Sequence, residues 1–402
     1  MAALERIVVV GASLAGLRAV EALRRRGYEG RLVLVGAEPH RPYDRPPLSK
    51  DVLRGAREPD RIALVTPEAF DALDLDLRLG TRATALDRSE RAVVLDDGER
   101  LAFDGLLVAT GAAPRNLPGT PALDGIHTLR TLEDCLAIRA DLERAPRVAV
   151  VGAGFIGAEV AATCRQRGLD VTLIERLPVP MAATLGLEIG AICAATHRDQ
   201  GVDLRCGVRV DGFEGGERVE RVRLSDGSTV AADVVVVGIG VFPETRWLES
   251  SGLTLDDGLV CDETLAAAPG IVAAGDVARW THPLFGESMR VEHWTNAVEQ
   301  GEAAAERLLA EPGGAKPFAP VPFVWSDQYD LKIQSAGLMK PDDEVHIAHG
   351  SLAERRFVAL YGRKGRLVGA LAFNRVRFLM DYRRLIREGA SWEAARARAG
   401  DG

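Results

Sequence analysis

The stretch Val148–Glu175, VAVVGAGFIGAEVAATCRQRGLDVTLIE, limits the fold of this chain more than any other. Its opening run, Val148-Ala149-Val150-Val151, is rich in β-branched residues and suits a buried parallel strand. Gly152, Gly154 and Gly157 follow in G-x-G-x-x-G spacing, with Phe155 and Ile156 between them. An amphipathic helical pattern then runs to a stop at Gly168, and a second apolar run closes on Glu175. This is a complete βαβ unit. In such a unit the first glycine makes the tight turn and the second lets backbone approach a pyrophosphate. The third lets helix and strand pack closely. The free N–H groups and partial positive charge of the helix N-terminus face the phosphates. Glu175 stands where a ribose-binding acid is expected, roughly 20 residues on.

A second copy lies at the N-terminus. Arg6–Glu38, RIVVVGASLAGLRAVEALRRRGYEGRLVLVGAE, carries Gly11, Ser13 and Gly16 at the glycine positions and Glu38 at the acid position. Ala15 sits inside the same loop. Ser13 departs from the pattern at the point of closest phosphate approach, but it is small and its hydroxyl can donate to a phosphate. Two dinucleotide sites in one chain imply two dinucleotides, and a protein that holds two passes electrons between them.

A chain of 402 residues predicts two or three domains. The net charge of −8 argues against general nucleic-acid binding. The balance is uneven: residues 316–402 hold 15 basic and 10 acidic residues, a net of +5, against −13 in the remainder. That marks the C-terminal part as a candidate docking surface for an acidic partner. Cys135, Cys164, Cys193, Cys206 and Cys261 form no close pair, so neither a redox dithiol nor a thiolate metal site is expected. The odd, scattered set suits a reduced, cytoplasmic protein. No apolar run reaches transmembrane length, and the chain start reads as a first strand, not a signal peptide.

Between the two fingerprints, His40-Arg-Pro-Tyr-Asp-Arg-Pro-Pro-Leu-Ser-Lys50 contains three prolines, which predict an extended, rigid loop. Leu75–Leu101 alternates polar and apolar residues and reads as short antiparallel strands. Leu106–Gly111 is a buried strand ending in Ala-Thr110-Gly111, and Pro114 and Pro118 mark a linker. Val219–Leu224 and Val230–Val237 read as two strands around Asp226-Gly227, the second closing a domain at Gly240. A strand beginning at Ile271 ends at Gly275, with Asp276 and Val277 next. Val291-Glu-His-Trp294 then leads into a helix through Leu309. Residues 311–317 read as a linker. Beyond Trp325-Ser-Asp-Gln328, strands are expected near Ile333, Val345, Val358 and Val368. A helix from about Arg375 to Glu388 would carry Arg375, Arg377, Arg383, Arg384 and Arg387.

The PYDRPPLSK stretch, set between two fingerprints and followed by ATG, AGD and WSDQ segments, resembles the FAD-dependent NADH–ferredoxin reductases. These serve bacterial haem-thiolate monooxygenases and aromatic-ring dioxygenases, and the resemblance covers essentially the whole chain. It implies an α/β, glutathione-reductase-like flavoprotein with two Rossmann-type dinucleotide-binding domains and a C-terminal α+β domain. The implied boundaries are 1–111 and 241–316 for a discontinuous FAD domain, 112–240 for the NAD domain, and 317–402 for a domain over the flavin. It places Lys50 beside the flavin ring, with Arg45 and Pro46 on the same wall. A fixed cation there stabilises negative charge on the reduced ring. Ala83 would touch the adenine portion by backbone, Arg130 would reach the FAD, and Asp276 would accept from a ribitol hydroxyl. Thr110, Gly111 and Val277 fall in the FAD segments, and Gly240 ends the NAD segment. Trp294 would lie near the flavin, able to stack on a ring. Glu159 would pair with Lys50 and help to place the nicotinamide. The resemblance thus puts Lys50, Glu159 and Trp294 at the chemistry.

One departure bears on the cofactor. Members often carry arginines after the second acid, whereas residues 178–186 hold none and only Arg176 is nearby. NADH is therefore expected over NADPH. The implied partner is a small acidic iron–sulfur ferredoxin, docking at Arg363, Lys364 and Arg366 or along the arginine-rich helix, with the reductase a monomer or weak dimer. A rubredoxin reductase is the alternative partner class. An NADH oxidase or disulfide reductase of the same fold needs a cysteine near the flavin, and none lies between Glu38 and Asp60. A non-enzymatic role like that of apoptosis-inducing-factor-like proteins is disfavoured by the lack of basic tails.

Overall fold

Arg6–Val10 is the axis of the first sheet, since every residue after Arg6 is sealed on both faces. The computed structural model describes residues 4–144, 147–311 and 313–401. The chain start and Pro312 of the 311–317 linker lie outside them. Two compact units result: Met1–Asp44 with Ile62–Ala113 and Phe242–Pro322, and Arg45–Arg61 with Pro114–Val241 and Phe323–Gly402.

In the first unit, Arg6–Val10 pairs in parallel with Arg31–Gly36 on one side and Gly105–Val108 on the other. Ile271–Ala273 extends the sheet in parallel beyond Gly105–Val108, and Ala266–Ala268 closes that edge antiparallel. Leu75–Leu79 forms the opposite edge, parallel to Arg31–Gly36. Its alternation predicted an antiparallel strand. The helix Pro67–Asp71 before it acts as a crossover, and a crossover returns the chain parallel. The antiparallel strands are the next three, Ala83–Asp87, Ala92–Leu95 and Arg100–Ala102. The helices Leu14–Arg25 and Trp294–Leu309 pack so closely that a Cβ on Gly301 would lie 2.4 Å from the Ala15 carbonyl oxygen.

The proline-rich loop is not extended throughout. Pro46–Ser49 forms a 3-10 turn and Asp51–Arg54 one turn of α-helix. Proline's fixed φ suits the first helical turn, where its missing N–H costs nothing. This segment belongs to the second unit.

The second unit centres on a parallel sheet, in the order Asp203–Cys206, Asp170–Glu175, Arg147–Val151, Val234–Val237, Ile126–Thr128. The expected strand Val230–Val237 is two. Thr229–Ala231 pairs antiparallel with Val219–Leu224, and Val234–Val237 joins the parallel sheet. The break falls at Asp233, whose carboxylate takes the Arg147 backbone N–H at 2.8 Å and the Arg147 guanidinium at 2.8 Å. A five-stranded antiparallel sheet follows, in the order Phe323–Gln328, Leu331–Gly337, Arg366–Phe373, Arg356–Arg363, Glu344–Ser351. Helix Ala182–Asp199 packs Leu185, Ile189 and Cys193 against its Ile333, Phe357 and Tyr361. Burying a leucine, isoleucine or phenylalanine side chain stabilises by about 1.5–3 kcal/mol. Tyr361 adds a hydrogen bond from its hydroxyl to the Leu185 carbonyl at 3.0 Å.

Candidate functional site

Each fingerprint loop is shaped by glycine where nothing else fits. Gly11 has φ +120°, and a Cβ there would meet the Ala109 carbonyl oxygen at 2.0 Å. A Cβ on Gly16 would lie 1.9 Å from the Gly11 oxygen. The second loop repeats the pattern, with Gly152 at φ +95° and a Gly157 Cβ 1.9 Å from the Gly152 oxygen. Ser13 is different in kind: it caps helix Leu14–Arg25 with φ −113°, which any residue adopts, so serine stands there without strain. The Gly154 Cβ position opens onto free space, as close approach of a pyrophosphate requires. Ile156, next along helix Phe155–Gln166, is exposed, whereas Phe155 packs against the core of the C-terminal sheet.

The two acids are held differently. Glu38 accepts the Tyr43 hydroxyl. Glu175 is buried and accepts from the Ala153 N–H at 2.7 Å through Oε2 and from the Leu177 N–H at 2.8 Å through Oε1. A carboxylate offers about four lone-pair sites, so the second acid both ties its loop and keeps acceptors for further donors.

The first unit gathers further candidates. Thr110 donates to the Glu244 carbonyl at 2.7 Å, and Gly111, at φ +69°, accepts the Glu244 N–H. Ala83 lies buried at a bulge in its strand. Asp276 sits in the turn Gly275–Val277, where the Gly275 N–H donates to the buried Gln300 side chain at 2.8 Å; Val277 is fully buried. Trp294 opens its helix, and its indole N–H donates to the Asp44 carboxylate at 2.8 Å. Sequence reading missed the polar ledge around Trp294. His293 Nδ1, Asn296 Oδ1 and Gln300 Nε2 are buried and have no hydrogen-bond partner among the described residues. Burial pushes His293 down to about 4. Orphaned buried polar atoms of this kind fit a ligand rich in hydroxyls and phosphates, as FAD is. Their spacing along one helix start was the available signal.

The second unit brings Lys50 and Glu159 together. Lys50 Nζ and Ser49 Oγ both donate to Glu159 Oε2, each at 2.5 Å, and Ser326 Oγ donates to Oε1 at 2.7 Å. Glu159 is 3% exposed. Neither serine was singled out from sequence, although Ser326 lies in the WSDQ segment. The Ser49 carbonyl in turn accepts from Thr163 at 2.7 Å, which fixes the proline loop to the fingerprint helix. Arg45 donates to the Arg130 carbonyl at 2.6 Å, and Pro46 starts the 3-10 turn beside it. Gly240, at φ +99°, follows the strand Val234–Val237 and accepts the Arg115 N–H.

The candidate docking cations differ from expectation at one position. Arg363 is not a surface cation: it forks onto Asp343 at 2.6 and 2.8 Å and donates to the Leu338 carbonyl at 3.0 Å. Lys364 and Arg366 remain exposed beside it. The arginine helix begins only at Leu379, leaving Arg375 and Arg377 before it with their guanidiniums over the Phe378 ring. All five cysteines are free, and burial pushes Cys135, Cys164, Cys193 and Cys261 up to about 12. No helix among the described residues is long and apolar enough to cross a membrane.

Two glycine loops, two acids and a lysine paired with a buried glutamate define an oxidoreductase that works between two dinucleotides. Residues 5–301 match the family described as pyridine nucleotide-disulphide oxidoreductase, and residues 323–401 match the reductase C-terminal family. The chain belongs to the pyridine nucleotide-disulphide oxidoreductase family; FAD and NADH are its cofactors. It is 38% identical over 387 residues to the ferredoxin–NAD(+) reductase component of the anthranilate 1,2-dioxygenase system of Burkholderia cepacia, covering 95% of this chain and 94% of that one. It is 36% identical to the putidaredoxin reductase of Pseudomonas putida, over 93% of this chain and 90% of the relative. The crystal structure of a covalent putidaredoxin reductase–putidaredoxin complex superposes with a TM-score of 0.91 at 34% identity, covering 96% of this chain and 93% of that one.

Proposed function

We propose that this protein is the NADH-dependent reductase of an oxygenase system, passing electrons through FAD to a small acidic iron–sulfur ferredoxin. The observation that carries the reading is the Lys50–Glu159 pair at 2.5 Å, in a segment with no cysteine from Glu38 to Asp60. A disulfide reductase of this family needs a thiol where this chain presents an ammonium. The names of the relatives support the same reading, since each is a reductase for a ferredoxin or putidaredoxin.

When bound, FAD takes a hydride from NADH and releases electrons singly. The chain's own residues supply binding and orientation. The N–H groups at Gly11–Gly16 would hold the FAD pyrophosphate and those at Gly152–Gly157 the NADH pyrophosphate, with Glu38 and Glu175 on the riboses. Asp276 and the ledge of His293, Asn296 and Gln300 would take the polar chain of FAD. Lys50 would hold a positive charge, oriented by Glu159, and Trp294 a flat wall anchored through Asp44. Orientation does most of the work in such a reaction, because two bound partners react as one molecule.

The docking surface we assign to the basic C-terminal part, at Lys364, Arg366, Arg375, Arg377 and Arg387, in a cytoplasmic monomer or weak dimer. The deciding experiment mixes the pure, FAD-loaded protein and NADH with ferredoxins and rubredoxins in turn. Ferredoxin reduction is expected; selective reduction of rubredoxin, or NADH consumption with oxygen alone as acceptor, would refute it.

A further inference from the structure

The two oxygens of the Glu159 carboxylate have unequal support. Among the described residues, Oε2 takes both Lys50 and Ser49, whereas Oε1 takes Ser326 alone. The terminal torsion of a glutamate is broad, so bonds to one oxygen leave the carboxylate plane free to turn. A donor on the other oxygen stops it. Ser326 is well placed to be that donor. It is fully buried, and its hydroxyl oxygen already accepts from Gln328 Nε2 at 3.2 Å. An ionised carboxylate can only accept, so the single hydroxyl proton of Ser326 is the one that serves Glu159. Gln328, 1% exposed, stands two residues on, on the same face of the strand. That strand is locked by its register with Leu331–Gly337, where Ser326 faces Ile333.

We propose that Ser326 is a positioning residue for NADH oxidation: the C-terminal sheet, through this one hydroxyl, fixes the Glu159 carboxylate and hence the Lys50 ammonium. The proposal rests on the reading of the chain as an NADH-dependent flavoprotein. It gives the C-terminal domain a part in the first half of the reaction, separate from any part in partner docking. Removing the hydroxyl leaves a buried carboxylate oxygen without a donor and lets the carboxylate swing toward a new one.

The test compares FAD-loaded wild type, Ser326→Ala, Ser326→Thr, Glu159→Gln and the Ser326→Ala/Glu159→Gln double variant. Rapid mixing with NADH reads the limiting rate of flavin bleaching. Ser326→Ala is expected to lower that rate about tenfold, with the apparent NADH dissociation constant changed less than about twofold. Ser326→Thr, which keeps a hydroxyl, restores it. In the Glu159→Gln background Ser326→Ala has no further effect, because its action runs through that carboxylate. A second readout does not depend on activity: acylation of Lys50 by an amine-directed reagent, followed by peptide mass against Lys316 and Lys364. Ser326→Ala should speed labelling of Lys50 alone. An unchanged rate with unchanged labelling overturns the proposal, as does a loss that adds fully to that of Glu159→Gln. Should Ser326→Ala fold poorly, Ser326→Cys, with its weaker donor, must fall between wild type and Glu159→Gln. A wild type that NADH fails to bleach defeats the reductase reading instead, while the labelling still decides whether Ser326 holds the Glu159–Lys50 pair.

Discussion

Glu175 holds the backbone N–H of Ala153, in the middle of the second glycine loop, at 2.7 Å. The acid we assign to the adenosine ribose would thus also shape the loop we assign to the pyrophosphate. NADPH would bring a 2′-phosphate against this anchored negative charge, and such like-charge contacts cost several kcal/mol. We expect kcat/KM for NADH to exceed that for NADPH at least about tenfold. Glu175→Gln should raise the NADH KM about tenfold, since an amide nitrogen must then face one of two backbone N–H donors. Steady-state kinetics with both cofactors decides this, and equal use of NADPH by the wild type sinks it.

The glycine loops should separate the two cofactors by mutation. A methyl group at Gly16 or at Gly157 would each lie 1.9 Å from a carbonyl oxygen. Gly16→Ala should therefore yield protein with little bound flavin. Gly157→Ala should keep its yellow colour yet require far more NADH, by about tenfold or more in KM. Absorbance of the purified variants and NADH titration read the two effects. Equal flavin content in both would contradict the assignment of the loops.

Two buried histidines set a pH dependence. Burial depresses His293 and His197 from 6.5 to about 4. The unfolded chain binds these protons more readily than the folded one. The stability due to neutral burial is therefore full above pH 6.5 and is lost as pH falls toward about 4, by up to about 3 kcal/mol for each group. Urea unfolding of the holoprotein between pH 7 and pH 4 should show this loss, with a shallower slope for His293→Asn. An identical slope in that variant would exclude His293 as a source.

Partner docking should depend on salt, while NADH oxidation with ferricyanide as acceptor should not. Exposed charges more than about 8 Å apart are largely screened at physiological ionic strength, and such charges act mainly on association rate. Charge reversal at Lys364 and Arg366 should slow ferredoxin reduction and flatten its salt dependence. Arg363→Glu should instead destabilise the sheet, because its guanidinium is committed to the nearly buried Asp343. If the Lys364 and Arg366 reversals leave ferredoxin kinetics unchanged, the arginines from Arg375 onward are the surface to test next.

What the sequence made legible was local. Both glycine loops, their helices and their acids lie within single βαβ units, where residue spacing and backbone geometry are directly linked. The pairing of Lys50 with Glu159 was also readable, through the resemblance of the flanking motifs. Ser49 and Ser326 were not. Their hydroxyls matter only because the proline loop, the fingerprint helix and the C-terminal strand converge on one carboxylate, and no spacing rule records that convergence. Arg363 failed for a related reason: its counter-charge, Asp343, lies on another segment, so the turn looked like free positive charge. The strand Leu75–Leu79 was misread because its alternation reports exposure, whereas direction is set by the crossover before it.

The interleaving of the two units has a consequence for synthesis on the ribosome. Gly105–Val108 leaves the ribosome long before Ile271–Ala273, its parallel neighbour in the sheet. Until that segment emerges, one edge of the nascent sheet offers unpaired N–H and C=O groups to any other strand. The parallel sheet of the second unit, in contrast, is complete once Val234–Val237 has emerged. The chain therefore finishes its central sheet while its first is still open, and slow translation after residue 240 would prolong the interval in which the nascent protein is prone to aggregate.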